Sequence, residues 1–209
     1  MSTLKLESIE LALAHLSRRD RRLRQIIQSV GPFRLKRQTN RYQSLLKAIV
    51  SQQISTAAAR SVWKKIETLA ETKSVTADAI VRLPDDVLRT AGLSAQKLRY
   101  IRDLTQRVHS RELKLSQLHR LSDEEVIVEL TAVKGIGIWT AQMFLMFSLG
   151  RPDVLPHGDL GIQSAIKRLY DLPELPKREE CHRIAEPWRP YATVASWYLW
   201  RSIEPEYTL

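Results

Sequence analysis

Five of the seven glycines fall between residues 135 and 161, at Gly135, Gly137, Gly150, Gly158 and Gly161. Clustering of this kind marks backbone that needs geometry other residues resist. The first two flank Ile136 in the run Leu130-Thr131-Ala132-Val133-Lys134-Gly135-Ile136-Gly137-Ile138-Trp139-Thr140-Ala141. A helix running into Val133 and another running out from about Ile138 make a tight hairpin, with Ile136 plugged back between them. Two glycines two apart leave bare backbone on the turn. The unpaired N–H groups opening the second helix, with its dipole, suit phosphate oxygens. An ordinary αα-hairpin with glycine caps fits the same spacing. Further on, Asp159 follows a loop containing Pro152, Pro156 and Gly158 and heads a helix faced by Leu160, Ile162, Ile166 and Leu169. By type and place alone it is a helix N-cap. His157, two residues earlier, reads as a solvent-exposed loop histidine, and no His/Cys/Glu cluster suggests a catalytic metal.

Helical patterning positions these residues. Leu6, Ile9, Leu13, Leu16, Leu23, Ile26 and Ile27 keep helical spacing from about residue 5 to 30, where Gly31-Pro32 stops the segment. The stretch Tyr42 to Ala70 is broken near Ser51-Gln52-Gln53-Ile54-Ser55, and Ser55 caps its second half. Pro84-Asp85-Asp86 opens a short helix that Gly92 closes, and Ser94 to His109 is another. Ser122-Asp123-Glu124-Glu125 is a capping box whose helix carries Val126, Leu130 and Val133 on one face. No alternating strand pattern of useful length appears. The fold expected is all-α, about ten helices joined by short turns.

Composition bounds the function. At 209 residues the chain buries roughly 70% of its unfolded surface without a staple. A hydrophobic fraction of 44% excludes disorder. One cysteine, Cys181, excludes a disulfide framework, an all-Cys zinc site and a four-Cys iron–sulfur cluster. No apolar run is long enough for a membrane span, and the N-terminus has no apolar signal core. Lys and Arg total 33 against 23 Asp and Glu, a net charge of +10. That excess suits a polyanionic partner and equally serves solubility. The densest basic run, Ser17-Arg18-Arg19-Asp20-Arg21-Arg22-Leu23-Arg24, reads mostly as a solvated helix face.

Taken together, Val133 to Ala141, the loop Leu149-Gly150-Arg151-Pro152-Asp153-Val154-Leu155-Pro156-His157-Gly158-Asp159-Leu160-Gly161, the earlier Ile49-Val50-Ser51-Gln52-Gln53-Ile54-Ser55 and Ala195-Ser196-Trp197-Tyr198 resemble the HhH-GPD DNA glycosylases. The branch resembled is 3-methyladenine DNA glycosylase II, the AlkA type, over roughly residues 40–205. The missing cluster cysteines separate the chain from the endonuclease III branch. It is similar to the compact members without an N-terminal β-rich domain.

The resemblance implies a two-lobed helical fold, residues 39–149 forming one lobe with the hairpin at about 122–149, and 1–38 with 150–209 forming the other. It implies a monofunctional enzyme that hydrolyses the N-glycosidic bond of alkylated purines in duplex DNA and so begins base excision repair. Asp159 becomes the catalytic carboxylate, stabilising the electron-poor sugar or orienting the attacking water. Trp139 stands where strand-cutting relatives carry a Schiff-base lysine. With Trp197 and Met143 it lines the base pocket, where an indole face attracts a cationic base; core packing is the alternative for both tryptophans. Met143 replaces an aromatic of the AlkA type.

The resemblance further implies that Lys134, Gly135 and Gly137 meet DNA phosphate. Gln53 fills the gap left by the extracted base, with Gln52 its nearest competitor. The backbone carbonyls of Thr131, Val133 and Gly135 offer a place for a monovalent cation, sodium or potassium, when DNA is bound; no catalytic cofactor is implied. The partner implied is double-stranded DNA with alkylated bases, bound by a monomer in the cytoplasm at the nucleoid, or in a eukaryotic nucleus. A glycosylase for deaminated or mismatched bases and a non-catalytic damage-binding module are the alternatives.

Overall fold

The computed structural model describes residues 6–203, which are helical with no strand among them. The first helices are α1 (Leu6–Arg19), α2 (Arg21–Val30), α3 (Arg41–Ser51) and α4 (Thr56–Leu69). Then come α5 (Ala77–Val81), α6 (Asp85–Arg89), α7 (Ala95–His109) and α8 (Asp123–Thr131). The last are α9 (Ile138–Phe144), α10 (Leu160–Tyr170), α11 (Arg178–Ala185) and α12 (Ala192–Ile203). The short helix α5 helps bring the number among the described residues to twelve, against the about ten that periodicity suggests. The chain divides into two compact units, residues 1–37 with 145–209, and residues 38–144.

Polar side chains start most helices by accepting orphan backbone N–H groups. Ser55, Thr76 and Ser94 cap α4, α5 and α7. Ser122 and Glu125 complete a reciprocal capping box on α8. Gly31 ends α2 with φ of 84°.

In the discontinuous unit, α12 is the centre. Every residue from Ala192 to Trp200 is buried, so this helix is enclosed on all sides rather than amphipathic. It packs on α10, α2 and α1. Arg37 donates to the carbonyls of Ser148 and Leu149, at the end of a π-helical turn over Leu145–Leu149. In the continuous unit, α3 packs on α4, α7 and α9 through Leu45, Leu46, Ile49, Ile101, Leu104 and Phe144. The Tyr42 hydroxyl pairs with Thr105 at 2.8 Å inside this core, and burial raises the Tyr42 phenol pKa well above its usual value.

The N-terminal helical segment departs from its sequence pattern. Leucine spacing runs through residues 6 to 30, yet the helix breaks at Asp20, whose backbone is extended. Its Oδ1 accepts the N–H groups of Arg22 and Leu23, each at 3.0 Å. Oδ2 accepts the Trp188 indole N–H at 2.8 Å and the Tyr170 hydroxyl. Burial, and then the carboxylate itself, push the Tyr170 phenol pKa well up. The five arginines of the basic run around Asp20 are exposed, as a mostly solvated face requires, while Asp20 itself is buried. Arg22 reaches the Leu169 carbonyl at 2.6 Å and Asp171 at 2.9 Å, and Leu23 is fully buried.

Asp20 holds α2, the end of α10 and the turn at Trp188 with one side chain. Asp20→Ala should lower the unfolding free energy by about 2–4 kcal/mol, because it strands buried donors. Urea unfolding measures this, and a loss below about 1 kcal/mol would show that water replaces the carboxylate freely.

Candidate active site and hairpin

Asp159 sits at the head of α10. Its Oδ1 accepts the N–H of Ile162 at 2.9 Å, the N-cap bond expected from its position. The same oxygen accepts the Trp200 indole N–H, also at 2.9 Å, from α12. The Asp159 N–H donates to the Pro156 carbonyl at 2.9 Å, which folds the preceding loop against it. Two donors on one oxygen fix the plane of the carboxylate.

Gly161 makes that geometry fit. A Cβ there would lie 3.0 Å from Asp159 Oδ1 and 3.1 Å from Cδ1 of Trp200. A side chain there would force Asp159 or Trp200 to give by a few tenths of an ångström, and glycine lets α12 bring its indole close to the helix start without that shift. Trp200 is 5% exposed and its ring stacks on Phe147, centroids 6.2 Å apart.

The resemblance assigns Trp197, nearly one turn earlier, to the base pocket and gives Trp200 no role. Trp197 is 7% exposed and meets Phe33 and Tyr198 edge-on, with centroids at 4.9 Å in both cases. The Arg201 guanidinium lies 6.0 Å from its ring centroid. Trp200 lies three positions further along α12, and α12 is buried all round, so no amphipathic pattern marks which tryptophan faces Asp159.

His157 differs from its expected exposure. It is half-buried, its ring centroid lies 5.1 Å from that of His182, and its Nδ1 is buried with no hydrogen-bond partner among the described residues. Burial lowers its pKa below the ordinary histidine value, with His182 and Arg178 adding to the effect.

The hairpin belongs to the other unit. Ile136 is 4% exposed, plugged between α8 and α9 as its apolar character suggests. Gly135 has φ of +83°, and a Cβ there would fall 2.1 Å from the Tyr100 ring. Gly137 has open space around its Cβ position. The fold thus requires glycine at 135, while a side chain at 137 would meet open space, the Gly137 carbonyl accepting the Ala141 N–H at 3.0 Å.

Lys134 is exposed and its backbone N–H donates to Asp103 at 2.9 Å. Trp139 is 48% exposed at the start of α9, with Met143 partly buried one turn on. Among the three carbonyls suited to a cation, that of Val133 accepts the Ile136 N–H at 3.1 Å and that of Gly135 accepts the Gln52 amide at 2.7 Å. Each keeps a second lone pair, and carbonyl oxygens suit a hard monovalent ion.

Gln52 and Gln53 separate cleanly. Gln52 is part-buried and committed to Gly135, whereas Gln53 is exposed with φ of 56°.

The glycine geometry is testable by stability alone. Gly135→Ala should cost about 3 kcal/mol, combining left-handed strain with overpacking on Tyr100. Gly137→Ala should stay within about 1 kcal/mol of wild type. Replacing Tyr100 by Ala should return part of the Gly135→Ala loss, and a double-mutant cycle of urea midpoints reads it. Equal effects at both glycines would contradict the assignment of Gly135 as the constrained one.

Similarity to known proteins extends over almost the whole chain. Residues 46–190 match the family model described as HhH-GPD superfamily base excision DNA repair protein. DNA-3-methyladenine glycosylase 1 of Schizosaccharomyces pombe is 32% identical over 93% of this chain and 88% of its own length. The crystal structure of a DNA-3-methyladenine glycosidase from Bacillus halodurans shares 38% identity, with a TM-score of 0.84, over 99% of this chain and 96% of that one. The S. pombe 3-methyladenine DNA glycosylase, solved in complex with abasic DNA, gives a TM-score of 0.81 at 32% identity, over 95% and 99%. With the glycine-turned hairpin and the loop-borne aspartate both in place, the chain belongs to the HhH-GPD superfamily of base excision DNA repair proteins.

Proposed function

We propose that this chain is a monofunctional DNA glycosylase that releases alkylated purines, of the 3-methyladenine and 7-methylguanine type, from duplex DNA. The observation that carries the reading is Asp159, oriented through Oδ1 by two N–H donors, in a chain that matches 3-methyladenine glycosylases along almost its whole length.

Alkylation at a ring nitrogen puts positive charge on the base, which both weakens the glycosidic bond and draws the base to an aromatic face. The exposed indole of Trp139 supplies such a face, worth about 0.5–2 kcal/mol. As the bond from C1′ to the base nitrogen breaks, the sugar becomes oxocarbenium-like. The Asp159 carboxylate stabilises that charge and holds the water that attacks C1′. The products are the free base and an abasic strand.

Trp139 offers no amine, so no Schiff base forms at that position and the strand stays intact. Lys134 and the bare backbone at Gly135 and Gly137 take DNA phosphate. The carbonyls of Thr131, Val133 and Gly135 would hold a monovalent cation, which supplies charge between hairpin and phosphate when bound. Gln53 fills the stack where the base has left. DNA binding by the S. pombe relative supports the same partner here.

Asp159→Asn separates charge from shape, since the amide oxygen still accepts both N–H donors. Timed release of base from methylated duplex, run with borohydride present, is the test. The variant should lose about 100- to 1,000-fold in rate while keeping its affinity for undamaged duplex. Wild type should leave no trapped adduct and cut no strand beyond a no-enzyme control. Near-normal turnover by the variant would remove Asp159 from its role. A trapped adduct with strand cleavage matching base release would overturn the monofunctional reading alone.

A further inference from the structure

The loop between α3 and α4 is tied down on both sides of one exposed glutamine. Before it, the Lys97 ammonium donates to the Val50 carbonyl at 2.7 Å and closes the C-terminal end of α3. After it, the Ser55 hydroxyl accepts the Ala58 N–H at 3.2 Å and opens α4. Between these anchors the Gln52 side-chain amide donates to the Gly135 carbonyl at 2.7 Å, across 83 positions of sequence.

Gly135 is a firm anchor. Its backbone lies against the Tyr100 ring, and the preceding residue is fixed where Asp103 accepts the Lys134 N–H. Asp103 is in turn paired with Arg107 at 3.2 Å. Gln53 follows Gln52 directly and holds φ of 56°, a left-handed conformation that glutamine resists. Something must hold the loop in that state, and the bridge from Gln52 is the tertiary bond adjacent to it.

We propose that Gln52 is a positioning residue for Gln53, its amide bridge to Gly135 setting the plug loop on the hairpin before DNA arrives. This rests on the reading of the chain as a glycosylase with Gln53 as the plug, and adds the residue that aims it. Without the bridge, the backbone at Gln53 relaxes out of the left-handed region and the side chain must be re-ordered at each lesion. The cost then falls where a paired base must be displaced, and hardly at all where the lesion is already unpaired.

Gln52→Met keeps length and shape and removes the donor. Single-turnover release of 7-methylguanine should be compared for the lesion opposite cytosine and opposite an abasic site. Gln52→Met should slow the paired lesion about tenfold and the unpaired one less than about threefold. Affinity for undamaged duplex should stay at the wild-type value, and the melting temperature should fall only by the few degrees that one lost hydrogen bond costs. The Gln52→Met/Gln53→Ala double variant should be no slower than Gln53→Ala alone, because Gln52 acts only through Gln53. Gln52→Asn, too short to reach Gly135, should repeat the pattern and so exclude an effect of the methionine itself.

Equal losses on both substrates, additive losses in the double variant, or losses that track lower melting and weaker duplex affinity would each overturn the proposal. Wild-type protein that releases no base would instead defeat the glycosylase reading. An active wild type with an unaffected Gln52→Met variant would defeat only the positioning role.

Discussion

One oxygen atom organises the candidate site: Oδ1 of Asp159 accepts a backbone N–H from its own helix and an indole N–H from α12. The two bonds tie the carboxylate to its own helix and to α12. Together they fix it, and they impose conditions on the rest of the unit. A side chain at residue 161 would crowd that oxygen, its Cβ standing 3.0 Å away. Helix α12, which brings Trp200 to that distance, is buried from Ala192 to Trp200 and makes further contacts. Trp197 packs on Phe33, and Tyr198 donates to the Gly31 carbonyl at 2.9 Å. A catalytic carboxylate gains from such orientation because its work is electrostatic and its donors need not reorganise as charge develops.

The second unit follows the same logic with backbone carbonyls as anchors. Val50 and Gly135 each accept a long polar side chain from a distant element, Lys97 and Gln52 respectively. These bonds turn a short loop and a glycine hairpin into a rigid pair. Loops that carry function are usually the mobile parts of a fold, and here the residues beside the proposed contacts are held while Gln53 and Trp139 remain exposed.

Legibility in the sequence tracks the range of each interaction. Caps act within three residues, so Ser55, Ser94, the Ser122–Glu125 box and the N-cap geometry of Asp159 are all readable. The hairpin is readable because two glycines around an isoleucine encode a local shape. The break at Asp20 is hidden by leucine spacing that continues across it. The deciding bonds come from Tyr170 and Trp188, 150 and 168 positions away. The bond from Trp200 to Asp159 is hidden because a fully buried helix has no polar face to orient it. The bridge from Gln52 is hidden because nothing in a glutamine announces a carbonyl partner across 83 residues. His157 looks exposed because loops usually are, and its neighbour His182 arrives from α11.

The central claim is that an oriented carboxylate, held by Trp200, drives base release. Its most direct test is the single-turnover rate of Trp200→Phe with enzyme in excess over methylated duplex. Phenylalanine keeps an aromatic ring against Phe147 and removes the N–H donor. With the donor lost, the rate should fall about tenfold or more while the affinity for DNA stays unchanged. Release at the wild-type rate would contradict the claim.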